Sequence, residues 1–439
     1  MRDKLDRLIQ PLLEADYVRN LVVRIWHDNT DVLLGRTRVE AGPPPRGDTC
    51  FEIGSLTKLF TLFLLGKQVN AGLIDLDSPV HEFLPEVPAL RRGPKRRMTI
   101  RHLATNRSGL WRDPELTAKE DPLQPGARFT VEDLHGFLTD SELRSEPGTE
   151  WCYSNAGFGL LGYIMGKRAG LGYFPLLEVS VLAPLGLTHT VLCVPPDSRS
   201  RLAQGHTADG DPVPAREPDS DNPLLAAGAL TSTSKDMLAF ARAWIEGDRG
   251  PLGSAVDIVE NRLGYGQNGL YGGAGQGTGM HACLFLSREK QVAATMLADT
   301  ATIYVLAVGR TIFDLLCNGG AEPVSLPQPI PGPLVWDPGW LGDYIPPPNP
   351  AVPPNAVMEI RHTDVGLTWT VRTGDYVDPP IRLYPKAPGR FFIKKHDVEF
   401  EFGDGFFKLI PGRFCVSAWG GTLVCEQRDI SKSVANGST

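Results

Sequence analysis

Phe51-Glu52-Ile53-Gly54-Ser55-Leu56-Thr57-Lys58 reads as the end of a strand running into a buried helix that continues to Leu73. Serine three residues ahead of lysine at a helix start places both side chains on one face, one turn apart. A serine hydroxyl is a poor nucleophile until a base takes its proton. A lysine can do so only where burial or nearby cations lower its pKa. The first N–H groups of a helix have no intrahelical partner, so the Ser55 N–H is a natural half of an oxyanion hole. Taken alone, Ser-x-x-Lys also describes a capped helix with a surface lysine.

A second segment, Pro147-Gly148-Thr149-Glu150-Trp151-Cys152-Tyr153-Ser154-Asn155-Ala156-Gly157-Phe158, lies on a loop before a helix rich in small residues (157–170). Tyr-x-Asn there aims a phenol and an amide the same way. A phenolate near a lysine ammonium can act as general base, and the amide can orient substrate and lysine. In isolation the pair also fits a packed tyrosine and a helix-capping asparagine.

Outward from these segments, residues 1–19 carry apolar positions at helical spacing, and Leu21 to Asp28 read as a strand. Loops are expected near 79–98, 120–126, 146–149 and 194–224, where Pro and Gly cluster. Further helices are expected over 231–247 and 301–317, with a two-stranded hairpin over 284–299. After Asn318 the composition changes: residues 321–339 hold six prolines and suit a stiff extended linker. Beyond it MEIRH, GLTWTVR, IRLYPK, RFFIKK, VEFEFG, FFKLIP, CVSAW and LVCEQ alternate as short strands of a small all-β sandwich or barrel. The expected division is an α/β body over 1–320, a linker over 321–335, a β module over 336–430 and a tail over 431–439.

Composition bounds the function. A length of 439 residues with 42% hydrophobic residues points to two folded domains rather than disorder. A formal charge of −7 argues against a nucleic-acid partner. No apolar window is long enough for a membrane span. The first twenty residues mix charges through their apolar positions, unlike a secretory signal. Seven scattered cysteines without a Cys-x-x-Cys pair read as a reduced, cytoplasmic chain with no zinc site. His102, His189 and His206 share no metal-ligand spacing, so no metal or other cofactor is expected. Glu146, Glu150 and Asp77 read as solvated or structural, and no Gly-x-Ser-x-Gly elbow is present.

Taken together the two motifs resemble the serine β-lactamase/penicillin-binding-protein superfamily, in its class C β-lactamase-like branch of esterases, D-amino-acid peptidases and acyltransferases. FEIGSLTKLFT, AGLIDLDSPVHEFLPEVP, MTIRHLATNRSGL, SEPGTEWCYSNAGFGLLGYIM, LAPLGLTHT and LAAGALTSTSKDMLAFARA follow the family's order across roughly residues 20 to 300. The resemblance implies an antiparallel sheet flanked by helices with a helical insertion. It also implies Ser55 as acylated nucleophile, Lys58 as its proton acceptor, Tyr153 as general base and acid, and Asn155 as holder of substrate amide or lysine. Trp111 falls where the family's site rim lies and is a candidate for stacking on substrate. The proline linker and β module resemble the lipocalin-like domain of some members, including D-amino-acid peptidases and penicillin-binding-protein-type thioesterases.

The chain departs from the family at its third motif, usually Lys-Thr-Gly, His-Thr-Gly or His-Gly-Gly on the strand bordering the site. Here the stretch is Gly272-Gly273-Ala274-Gly275-Gln276-Gly277-Thr278-Gly279-Met280-His281. Counting back from the hairpin puts Gln276 at the basic position and the Gly279 N–H at the second oxyanion donor. A slipped register matches Thr278-Gly279 to Thr-Gly, with Gly277 at the basic position and Met280 supplying the N–H. Either way the cation that binds a substrate carboxylate is missing, unless His281 supplies it. Met280 and Cys283 read as packing residues. The glycines lack the order of a phosphate-binding loop.

The expected activity is covalent acyl transfer at an ester, thioester or amide carbonyl of a small-molecule or peptidyl substrate, as an esterase or amidohydrolase. A thioesterase or cyclase served by an acyl or peptidyl carrier protein is an alternative. So are a D-amino-acid peptidase or β-lactamase, and a non-catalytic acyl-sensing protein with a degraded site.

Overall fold

The computed structural model describes all residues except 39–41, 115–123, 125, 267–268, 278, 332–335, 348–354, 375, 404–405, 412–421 and 428–439. The β-branched run Asn20–His27 forms β1 and folds back on β2, Thr30–Thr37. Their two-residue turn, Asp28-Asn29, takes φ of 50° and 56°, the left-handed pair that matches the twist of a hairpin. β2 is a strand that the sequence reading leaves unassigned. Tyr271–Gln276 (β3), His281–Ser287 (β4) and Val292–Ala298 (β5) complete an antiparallel sheet of order β2-β1-β5-β4-β3.

Alternation along the strands divides the core in two. Ala282, Leu284 and Leu286 of β4 join the larger cluster, while Cys283 and Phe285 join the other. The larger cluster holds the helices Thr57–Asn70 (α2), Asn155–Ala169 (α3) and Ser234–Glu246 (α4). The opposite face of the sheet is covered by Arg2–Glu14 (α1) and Tyr304–Asn318 (α5). α2 is buried around most of its circumference, as a helix in the middle of a core must be. The small residues of α3 allow close approach: a Cβ on Gly162 would lie 2.2 Å from the Ala226 Cβ. These elements give the antiparallel sheet flanked by helices expected from the sequence. Among the described residues no helix is long and apolar enough to cross a membrane.

The C-terminal strands form one nearly closed sheet. Its order runs from Tyr376–Val377 through Gly366–Thr373, Ala356–Thr363, Gly342–Ile345, Leu423–Gln427, Phe406–Pro411, Val398–Gly403 and Arg390–Phe392 to Tyr384–Ala387. Ile381-Arg382, just ahead of the last strand, pairs back with Gly366–Thr373 and brings the ends together. Gly342–Ile345 is an extra strand beyond the sequence reading, and CVSAW lies outside the described residues. The proline-rich segment does not hang free. Val324 and Leu326 pack on the α1–α5 cluster, and the Tyr17 hydroxyl donates to Pro327 O at 2.7 Å.

The two parts are joined through buried contacts. Phe392 of the barrel is 1% exposed and belongs to the α1–α5 core. Thr302 Oγ1 donates to Lys394 O at 2.6 Å, and Ile303 N–H donates to Lys395 O at 3.0 Å. Asp209 accepts from Arg382 N–H and the Tyr384 hydroxyl, both at 3.0 Å.

Candidate active site

Ser55 sits in a single 3₁₀ turn, Gly54–Leu56, that leads into α2. Gly54 has φ of +49°, and a Cβ there would come within 2.7 Å of the Gln276 nitrogen. Thr57 Oγ1 fixes the turn by donating to Gly54 O at 2.7 Å while accepting from Leu230 N–H at 3.1 Å. The hydroxyl of Ser55 lies 2.5 Å from the Tyr153 hydroxyl and 3.2 Å from Lys58 Nζ.

Lys58 is 6% exposed, and its Nζ also donates to Asn155 Oδ1 at 2.7 Å and to Ala227 O at 2.5 Å. Burial pushes its pKa well below the ordinary lysine value; Arg112 and Arg216 push the same way and Asp113 opposes them. The Tyr153 phenol moves up, chiefly through burial, although its hydrogen bond to Ser55 and the Arg112 charge oppose the shift. The resting tyrosine is therefore a neutral phenol, not the phenolate of the sequence reading.

Ser154, not Asn155, caps α3: its hydroxyl accepts from Gly157 N–H at 2.9 Å and donates to Trp111 O at 2.8 Å. This frees the Asn155 amide, whose oxygen faces Lys58 while its nitrogen donates to Asp113 Oδ1 at 2.6 Å. Arg112 lies over the Tyr153 ring, 5.3 Å from its centroid, and pairs with Asp113 at 3.1 Å. Asp113, Arg112 and the Ala227 carbonyl escape sequence reasoning. They sit on loops and a short helical turn, where no period marks the side chains that face inward.

The edge strand β3 lays bare backbone against the serine turn. A Cβ on Gly275 would lie 1.8 Å from Ile53 O and 2.6 Å from the Ser55 nitrogen, so glycine is required there. Gly277 N–H donates to Met280 O at 2.9 Å, which turns the Gln276 N–H away from β4 and towards the Gly54–Ser55 turn. The glycine beside Ser55 is thus Gly275, preceded by Gly273-Ala274, and both sequence registers are displaced by several residues. Gln276 pairs with His281, so residues 277–280 are the hairpin loop and not a continuation of the strand. Gly279 accordingly lies away from Ser55, its carbonyl accepting from His206 N–H at 2.8 Å. Thr278 lies outside the described residues. The Gln276 side chain turns to Ala301 O at 3.5 Å.

His281 does not supply the missing charge. It is 1% exposed, both ring nitrogens are unpartnered among the described residues, and burial pushes its pKa down to about 3. Met280 and Cys283 are buried packing residues. Trp111 donates its indole N–H to Glu142 O at 3.0 Å, and its own carbonyl holds Ser154; it supports the Tyr153 loop through its backbone. His102 closes the capping box of the helix starting at Ile100, while Asp77 and Glu146 pair with Arg101 and Arg97 at the surface.

A family model described as Beta-lactamase matches residues 5–313. The chain belongs to the β-lactamase family. Among its relatives, a β-lactamase of Escherichia coli strain K12 is 30% identical over 269 residues, covering 61% of this chain and 65% of that protein. A β-lactamase of Yersinia enterocolitica is 29% identical over 251 residues, 56% of this chain and 60% of the relative. The D-alanyl-D-alanine-carboxypeptidase/endopeptidase AmpH of Escherichia coli K12 is 30% identical over 220 residues, 49% and 54% of the two chains. The matches thus span 54% to 65% of these relatives. A crystal structure of a class C β-lactamase superposes with a TM-score of 0.61 at 22% identity, over 71% of this chain and 97% of that one. At that identity the likeness is one of fold.

Proposed function

We propose that this β-lactamase-family chain is a serine hydrolase or acyltransferase that forms an acyl-enzyme on Ser55 from an ester, thioester or amide carbonyl. The observation that carries this reading is the Ser55 hydroxyl held 2.5 Å from Tyr153 Oη and 3.2 Å from a buried Lys58. A neutral amine has two N–H bonds and one lone pair. The two oxygens that only accept, Asn155 Oδ1 and Ala227 O, take the N–H bonds of Lys58, which leaves its lone pair for the Ser55 proton.

Ser55 Oγ then attacks the carbonyl carbon as its proton passes to Lys58. The developing oxyanion faces the N–H groups of Ser55 and Gln276, rather than Gly279. On collapse the bond to the leaving group breaks, and that group takes the Tyr153 hydroxyl proton, which Lys58 replaces. Water or another nucleophile resolves the acyl-enzyme by the reverse path. The intact geometry speaks against a non-catalytic sensor.

A second reading, cleavage of β-lactams or D-alanyl peptides, is favoured by the names of the relatives. Against it stands β3, where Gly273 and Ala274 replace the basic residue. Intact-protein mass after exposure to a fluorophosphonate, activated esters, thioesters and β-lactams tests both. An adduct lost in Ser55→Ala is expected, and the compound that turns over names the substrate class. No adduct from any probe would sink the acyl-enzyme mechanism.

A further inference from the structure

We propose that Arg112, at the mouth of the acyl site, is a specificity residue that binds a carboxylate on the leaving-group side of the substrate. This deepens the reading above and rests on it. The residue is fixed by its own backbone, whose carbonyl accepts from the N–H groups of Asn155 at 2.7 Å and Ala156 at 3.2 Å, the first residues of α3. Its side chain extends over the Tyr153 ring, with the guanidinium carbon 5.3 Å from the centroid. The Tyr153 hydroxyl lies 2.5 Å from Ser55 Oγ. The guanidinium therefore stands beside the phenol that, in the proposed mechanism, protonates the leaving group.

The fork of Arg112 is engaged on one edge only. Asp113 Oδ2 takes the Nε–H at 3.1 Å, while Asp113 Oδ1 holds the Asn155 amide at 2.6 Å. Among the described residues neither Nη group makes a hydrogen bond, and the side chain is 63% exposed. The two Nη groups together present a pair of parallel N–H bonds, the arrangement that takes both oxygens of one carboxylate.

Lys58 cannot play this part. Its Nζ, 4.7 Å from the same ring centroid, is taken up by Ser55, Asn155 and Ala227, and burial favours the neutral amine. β3 brings no charge either, since Gly273, Ala274 and Gly275 carry none. The Arg112 charge reaches both catalytic groups, acting to lower Lys58 and Tyr153 alike, as a cation close to the pair must. Trp151, 59% exposed with its ring 6.5 Å from that of Tyr153, adds an apolar surface at the same rim. An aryl leaving group bearing a carboxylate matches this pair of side chains.

The test compares kcat/KM of the full-length protein for 3-carboxyphenyl butanoate with that for 3-carbamoylphenyl butanoate, whose leaving groups match in shape and differ in charge. The wild type should prefer the carboxylate ester. Arg112→Gln should lower the preference ratio by about fivefold, the value of a bidentate pair at a solvent-exposed rim. Arg112→Lys should restore part of it, because one ammonium replaces the fork. A wild type without the preference, or a ratio unchanged in Arg112→Gln, would overturn the proposal. A role confined to tuning Lys58 and Tyr153 changes both rates and leaves the ratio, and so overturns it too. Where neither ester turns over, calorimetry on Ser55→Ala decides, with N-(3-carboxyphenyl)butanamide and its carbamoyl counterpart as ligands. Tighter binding of the carboxylate that is lost on adding Arg112→Gln supports the site even where no Ser55 adduct forms. Equal binding of the two anilides, no binding, or a preference unmoved by Arg112→Gln refutes it.

Discussion

The two walls around Ser55 are built by opposite means. On one, Lys58, Tyr153, Asn155 and Asp113 are wired side chain to side chain, each fixing the next. On the other, β3 offers almost no side chains, and its fit depends on the absence of a Cβ at Gly275 and Gly54. In the proposed mechanism the first wall moves protons and needs functional groups at set distances. In that mechanism the second holds a carbonyl oxygen against backbone N–H groups, and a Cβ on Gly275 would drive the strand from the serine turn.

Substitutions can break this comparison in graded steps. Lys58→Met should have the largest effect, lowering acylation by on the order of 10³-fold by removing the base. In the wild type the acid limb of kcat/KM should fall well below the ordinary lysine value of 10.5, following the depressed pKa. The same shift affects stability: between the folded pKa of Lys58 and 10.5 the unfolded chain binds more protons, so stability should rise with pH in that window. Urea unfolding across pH should show this rise in the wild type and a flatter one in Lys58→Met.

Gly275→Ala should come next. Its Cβ would meet Ile53 O at 1.8 Å, so strand and serine turn must part. Fluorophosphonate labelling should slow by about 100-fold as the oxyanion donors separate, with about 1–3 kcal/mol lost from overpacking in thermal melts. Gly273→Ala, whose Cβ would meet only Tyr265 Oη at 3.8 Å, should change labelling by less than about threefold. If both glycines behave alike, the bare wall is not steric in origin.

Asp113→Ala should lower kcat by about tenfold, because the Asn155 amide loses the acceptor that orients it. The smallest expected change is in Thr302→Val, which removes one anchor of the barrel loop. It should cost about 1 kcal/mol in denaturant midpoints and leave Ser55 labelling intact.

The first wall was largely legible in the sequence because helical spacing fixes Ser55 against Lys58, and a helix start fixes Tyr153 against Asn155. Asp113 was not, since nothing in Trp111-Arg112-Asp113-Pro114 distinguishes an inward carboxylate from a solvated one. The register of β3 failed for a physical reason. Strand register is set by alternating side chains, and a run of glycines carries no alternation to count. The body's helices and the hairpin of β4 and β5 follow from local patterns. The closure of the barrel through Ile381-Arg382 depends on a non-local pairing that no local pattern records.

Phe392 limits how far the chain can be treated as two exchangeable parts. Its ring is buried beneath α1 and α5, so a truncation after residue 320 would open a hole of aromatic size in the catalytic body and expose apolar surface around it. Emptying such a site costs about 3–5 kcal/mol, a large share of the stability of an ordinary domain. Swapping the barrel for that of a relative would therefore demand a matching aromatic plug as well as a matching linker. Divergence in one part constrains divergence in the other.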